Sequence, residues 1–100
     1  MPEFIDVDPG ELFVPSSRAQ GADPHKLAQQ IAKHGNSLDG MPPLQLVRGK
    51  DGHLRINDGV TRAARLYWLD PAATVLVDVI HETSYDLTGL PRIRDTVVPR

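Results

Sequence analysis

Residues 54–69 read Leu-Arg-Ile-Asn-Asp-Gly-Val-Thr-Arg-Ala-Ala-Arg-Leu-Tyr-Trp-Leu, and within them the hydrophobic period changes with no room for a loop. Leu54 to Asn57 alternates apolar and polar, the pattern of a half-buried strand. From Val60 the pattern is helical, with Val60, Ala63, Ala64, Tyr67 and Trp68 on one face. Only Asp58-Gly59 lies between. A strand that becomes a helix within two residues aims the first free N–H groups of that helix at a point just past the strand end. Those donors and the helix dipole together favour an anion. Thr61 and Arg62 fall in the first turn, so a hydroxyl and a guanidinium face the same point, which suits a phosphate. The same residues also have a purely structural reading. Asp58 is then a helix cap, Gly59 a backbone convenience and Arg62 a solvated charge.

The elements around this stretch follow from local chemistry. Phe4 to Asp8 alternates as a short strand and is stopped by Pro9-Gly10. Glu11 to Val14 suits a helical turn or a brief strand, and Pro15 to Ala22 reads as loop. Asp23-Pro24 opens a helix, with Asp23 as N-cap and Pro24 preorganised for the first helical position. Leu27, Ala28, Ile31 and Ala32 are its expected buried stripe. Lys26, Gln29, Gln30 and Lys33 are expected in water, and His34-Gly35 forms its end. After a loop from Asn36 to Pro43, Leu44 to Arg48 is a strand. The turn Gly49 to Gly52 and a partner strand from His53 to Asn57 complete a hairpin. The second helix should run from Val60 to Leu69, where Asp70-Pro71 ends it. Thr74 to Ile80 is the most β-prone run and the expected central strand. From Thr83 onward the pattern fades.

Size and composition narrow the classes. A chain of 100 residues suits one modest core. With 11 Lys and Arg against 13 Asp and Glu, the net charge of −2 is too low to hold a nucleic-acid backbone by charge alone. Cysteine is absent, which excludes thiolate metal sites and cysteine nucleophiles. No apolar run is long enough to span a membrane, and no basic-then-apolar leader is visible, so a cytoplasmic protein is expected.

The order strand, Arg18-containing loop, Asp23-Pro24 helix ending at Gly35, hairpin, Asp58-Gly59-x-x-Arg62 helix, strand resembles the ParB/sulfiredoxin-like family. Three patches carry the resemblance: Arg18; Asp23 to Gly35, followed by Pro43 to Arg48; and Leu54 to Ala64. The resemblance implies an α+β fold, a small mixed sheet with two principal helices, over residues 1–82. Residues 83–100 are then a C-terminal extension, packed on the domain or partly flexible. It further implies a phosphate-holding loop, in which Gly59 and Arg62 match the Gly-x-x-Arg pattern and Arg18 matches the basic residue of the first loop. Members include nucleotide-hydrolysing ParB clamps, ATP-using sulfiredoxins and free-serine kinases. Here Gly59-Val60-Thr61-Arg62 stands where the clamps read Gly-Glu-Arg-Arg. The sulfiredoxin cysteine is missing, so that activity is excluded. No helix-turn-helix region follows, so direct DNA binding is not expected.

These readings define the expected site. Arg18, Asp58, Gly59, Thr61, Arg62 and Arg65 form a nucleotide- or phosphate-binding set, with a nucleoside triphosphate and Mg2+ as the implied cofactor and possible phosphotransfer or NTP hydrolysis. Asp58 either contacts a metal-bound water or a ribose, or caps the helix. Arg65, one helical turn after Arg62, either extends the basic patch or is a surface residue paired with an acid. His53, His81 and Glu82 are the remaining proton-transfer candidates, although the histidine spacing suggests no metal cage. The alternative function is a non-catalytic protein-interaction or regulatory module that keeps the fold without the chemistry.

Overall fold

A computed structural model describes residues 3–18, 20–35 and 42–97. It is an α+β fold: β1 (Phe4–Val7), α1 (Pro24–His34), β2 (Leu44–Arg48), β3 (Leu54–Asp58), α2 (Val60–Leu69), β4 (Val75–Glu82) and a single helical turn, α3 (Ile93–Thr96). The expected loop from Asn36 to Pro43 lies outside the described residues up to position 41.

The four strands form one mixed sheet in the order β1-β4-β2-β3. β4 runs antiparallel to β1 and parallel to β2, so the most β-prone segment occupies the interior as expected. It extends beyond Ile80 because His81 and Glu82 continue the pairing with Val47 and Arg48. β2 and β3 form the anticipated antiparallel hairpin, with a register shift between Gln45 and Leu46. One face of the sheet is buried through Val75, Val77 and Val79 of β4, Leu44 and Leu46 of β2, and Ile56 of β3. Val60, Ala63 and Ala64 of α2 close the core on that face.

α1 starts and stops as its sequence dictates. The Asp23 carboxylate accepts from the His25 and Lys26 amides at 2.8 and 3.4 Å, and Gly35 ends the helix at a φ of 57°. Its buried stripe differs from expectation. Ala28 and Ala32 are exposed, while Leu27, Gln30, Ile31 and His34 are half-buried. The helix packs chiefly against α2 rather than across the sheet. That contact needs only the narrow row at i, i+3, i+4 and i+7, and no α1 side chain is fully buried.

The N-terminal connection makes both structures that its sequence allowed. Pro9–Glu11 is a 3₁₀ turn, capped by Asp8 through a 2.8 Å bond from the Gly10 amide. Phe13 then bridges like a strand: its amide donates to the Leu54 carbonyl and its carbonyl accepts from Ile56, both at 2.9 Å.

The described residues after Thr83, up to Val97, belong to the packing. Leu87 and Ile93 are 1% and 0% exposed, and the Ile93 amide reaches the Leu12 carbonyl at 2.9 Å. Asp51, in the hairpin turn, organises the approach. Its Oδ2 accepts from the Leu87 amide at 3.0 Å, the Thr88 amide at 3.1 Å and the Thr88 hydroxyl at 2.8 Å. Desolvation pushes this carboxyl up. The Thr88 hydroxyl and the His53, Thr88 and Leu87 amides outweigh that push and hold it at about 2.

A depressed carboxylate pKa contributes stability that is fully present above the unfolded value, about 3.9, and is lost as pH falls through the folded value. Wild-type thermal stability, followed by circular dichroism, should therefore fall between about pH 4 and pH 2. Asp51→Asn should be less stable at neutral pH and should flatten that limb. An unchanged acid limb would contradict the role assigned to Asp51.

Candidate functional site

The expected turn is present. β3 ends at Asp58 and α2 begins at Val60, so Gly59 alone makes the transition, as the N-cap residue, at a φ of 111° and a ψ of 27°. Two constraints demand glycine here. The left-handed backbone disfavours a Cβ, and a Cβ built at this position would lie 2.3 Å from Leu44 Cδ2. Leu44 opens β2 and is 1% exposed, so its terminal methyl cannot simply swing away.

Asp58 does not cap the helix. It is exposed at the end of β3, and among the described residues no side chain caps the α2 N-terminus. The first amide of this helix with an internal backbone partner is Ala63, which donates to the Gly59 carbonyl at 2.9 Å. The amides before it precede any i→i−4 bond.

Arg62 folds back over the turn. Its Nη2 and Nε lie 3.4 and 3.7 Å from the position a Gly59 Cβ would take. Nη1 donates to the Pro42 carbonyl. Burial pushes the guanidinium below its ordinary value, and the Asp58 carboxylate pulls it back up. It stays a cation at any physiological pH. Thr61 is half-buried in the same first turn.

Arg65 lies deeper. It is 0% exposed, and Nη1 donates to the Gly35 carbonyl at 3.0 Å. It is thus buried rather than on the surface, and it joins α2 to the C-terminal end of α1, where the helix dipole favours a cation. Burial lowers its pKa, and the Arg62 charge adds to that effect. The sequence carried little sign of this role, because an arginine one turn after another reads equally well as surface.

Arg18 stands elsewhere. It closes the 3₁₀ turn Ser16–Arg18; its side chain lies outside what the structure describes. That turn borders the N-terminal end of α1, where a cavity of about 790 Å3 is lined by Ser16, Ser17, Asp23, Lys26 and Thr96. The 11 residues of α1 put that end about 16 Å along the helix from Gly35, where Arg65 is anchored.

The remaining proton-transfer candidates are dispersed. His53 meets the Phe13 ring edge-on with centroids 5.0 Å apart, and Glu82 pairs with Arg48 at 3.3 Å. His81 is exposed near the end of β4. Among the described residues no group of three or more His, Asp and Glu side chains is placed to hold a metal ion, and no helix is long and apolar enough to cross a membrane. No family model, curated protein or solved structure matches the chain.

Two substitutions test this geometry. Gly59→Ala should cost about 2–4 kcal/mol in urea unfolding, the combined scale of left-handed strain and overpacking. A neutral outcome would mean that the turn is built differently. Arg65→Ala should cost about 2–4 kcal/mol through lost packing and an orphaned carbonyl. It should also speed amide exchange selectively in the last turn of α1.

Proposed function

We propose that this chain is a standalone domain of ParB/sulfiredoxin-like type that binds a phosphorylated ligand, most simply a nucleotide, at the Gly59–Arg62 turn. The observation that carries the reading is the α2 N-terminus, which no described side chain caps and over which the Arg62 guanidinium lies. Helix-start amides and a guanidinium supply donors in the geometry that phosphate oxygens accept. Arg62 commits Nη1 to Pro42 and keeps Nη2 and Nε on the Gly59 side. Asp58, exposed beside them, is the described carboxylate adjoining the turn and would contact Mg2+ arriving with a triphosphate. Phosphoryl transfer or NTP hydrolysis is the further step this reading admits. Arg65 supports the site from beneath by tying α2 to α1, and a cytoplasmic location fits a nucleotide ligand.

The alternative, a non-catalytic interaction module, is favoured by a different observation. Phe4, Leu76 and Ile80 are 50%, 46% and 45% exposed on the sheet.

Isothermal titration with ATP, CTP, ADP and inorganic phosphate, each with and without Mg2+, separates these readings. Binding by the wild type, weakened by about 1.5–3 kcal/mol in Arg62→Ala, is the expected result for a charge-assisted hydrogen bond. Silence with all four ligands would contradict it.

A further inference from the structure

Two Asp-Gly pairs stand among the described residues: Asp51-Gly52 in the hairpin turn and Asp58-Gly59 between β3 and α2. The third in the sequence, Asp39-Gly40, lies outside them. Glycine has no side chain to shield its nitrogen, so in a free peptide that nitrogen can attack the carboxyl carbon of the aspartate before it and close a ring. The attack needs two groups free together. One is a carboxyl able to rotate and to shed its hydroxyl; the other is the next amide nitrogen.

At Asp51 the fold withholds both. Oδ2 accepts from the Leu87 and Thr88 amides and the Thr88 hydroxyl, and Oδ1 accepts from the His53 amide at 3.2 Å. The Gly52 amide is itself committed, donating to the Gly49 carbonyl at 3.0 Å. The bonds that hold this carboxyl at about 2 also leave its protonated, water-losing form roughly a hundredfold scarcer at neutral pH than in an ordinary aspartate.

At Asp58 the fold withholds neither. The side chain is exposed, and among the described residues no hydrogen bond or ion pair engages its carboxylate. Arg62 feels that charge without bonding to it. The Gly59 amide likewise has no hydrogen-bond partner among the described residues. The backbone is also loosened beside it. The hairpin register pairs Ile56 with Leu46 and Asp58 with Gln45, so Asn57 is left over and the ladder is interrupted one residue from the reacting pair.

We infer that Asp58 is a site of spontaneous covalent modification, at which the chain isomerises to isoaspartate through a cyclic imide formed with Gly59. The Gly59 nitrogen gives up its proton and bonds to Asp58 Cγ, and the carboxyl hydroxyl leaves with that proton as water. A second water then adds at the Asp58 main-chain carbonyl carbon and breaks its bond to the Gly59 nitrogen. The main chain now runs through Cγ, and the old carbonyl is a free carboxylate. One water leaves and one enters, with nothing oxidised or reduced. The product carries one more carbon in the main chain at the single-residue connection between β3 and α2. The start of α2 is then no longer held against Leu44, so ageing of the molecule begins at the turn that sets the helix.

The folded full chain, held at neutral pH below its unfolding temperature and digested with trypsin, tests this. Cleavage after Lys50, Arg55 and Arg62 puts Asp51 in peptide 51–55 and Asp58 in peptide 56–62. Chromatography with electron-transfer fragmentation reads isoaspartate in each. Asp58 should convert at least tenfold faster than Asp51. In urea the two rates should converge, because the reacting pair is the same and only the fold separates them. Thr88→Val should speed conversion at Asp51 and leave Asp58 unchanged. Asp58→Glu, whose ring would be one atom larger, should silence peptide 56–62. A folded chain in which Asp58 converts no faster than Asp51 overturns the inference. So does a tenfold difference that persists in urea, which would place the cause in the neighbouring residues rather than in the fold.

Discussion

Gly59 is the constraint on which the rest of the structure depends. A single residue carries the chain from β3 into α2, and it does so at positive φ with Leu44 packed against the place where a side chain would begin. Because the connection is this short, the start of α2 is held against the end of β3, and the direction of the helix follows. Val60, Ala63 and Ala64 are then delivered to the core, and Arg62 and Arg65 to the side that faces α1 and Pro42. Fold and candidate site are two consequences of one turn.

The arginines divide the work by depth. Arg65 is wholly enclosed and offers its charge to the carbonyl end of α1, so its contribution is to hold two helices together. Arg62, one turn earlier, is only half-buried and leaves part of its guanidinium over Gly59. A buried cation beside a second cation makes the surrounding potential positive, an asset where a phosphate is to bind and a cost where none does. That cost is moderated by Asp58 and by the Pro42 and Gly35 carbonyls.

Much of the fold was legible because its signals are local. Asp23-Pro24 and Gly35 bracket α1 by capping chemistry, and Asp70-Pro71 stops α2 where its sequence says it must. The run of β-branched residues in β4 marked the interior of the sheet. What escaped depends on tertiary context. The Ala28 and Ala32 stripe failed because α1 meets only α2, so a narrower face suffices. Asp58 looked like a cap, yet the helix begins at Val60, as expected, and that start puts Gly59 in the cap position. The placement of residues 83–97 comes from partners far away in sequence: the Leu12 carbonyl for Ile93, and Asp51, more than thirty positions away, whose carboxylate gathers the Leu87 and Thr88 amides. No local pattern encodes that pairing. Within the site, Gly59 and Arg62 stood out by spacing, whereas the Pro42 and Leu44 contacts could only be seen once the hairpin was folded.

The central claim is that the opening amides of α2 and the Arg62 guanidinium form an accessible anion cradle. Residue-resolved 15N–1H spectra during a pyrophosphate titration examine it most directly. Saturable shifts concentrated at Gly59, Val60, Thr61 and Arg62, lost in Arg62→Ala, are what the geometry predicts. Shifts scattered over surface lysines, or none at the turn, would contradict it.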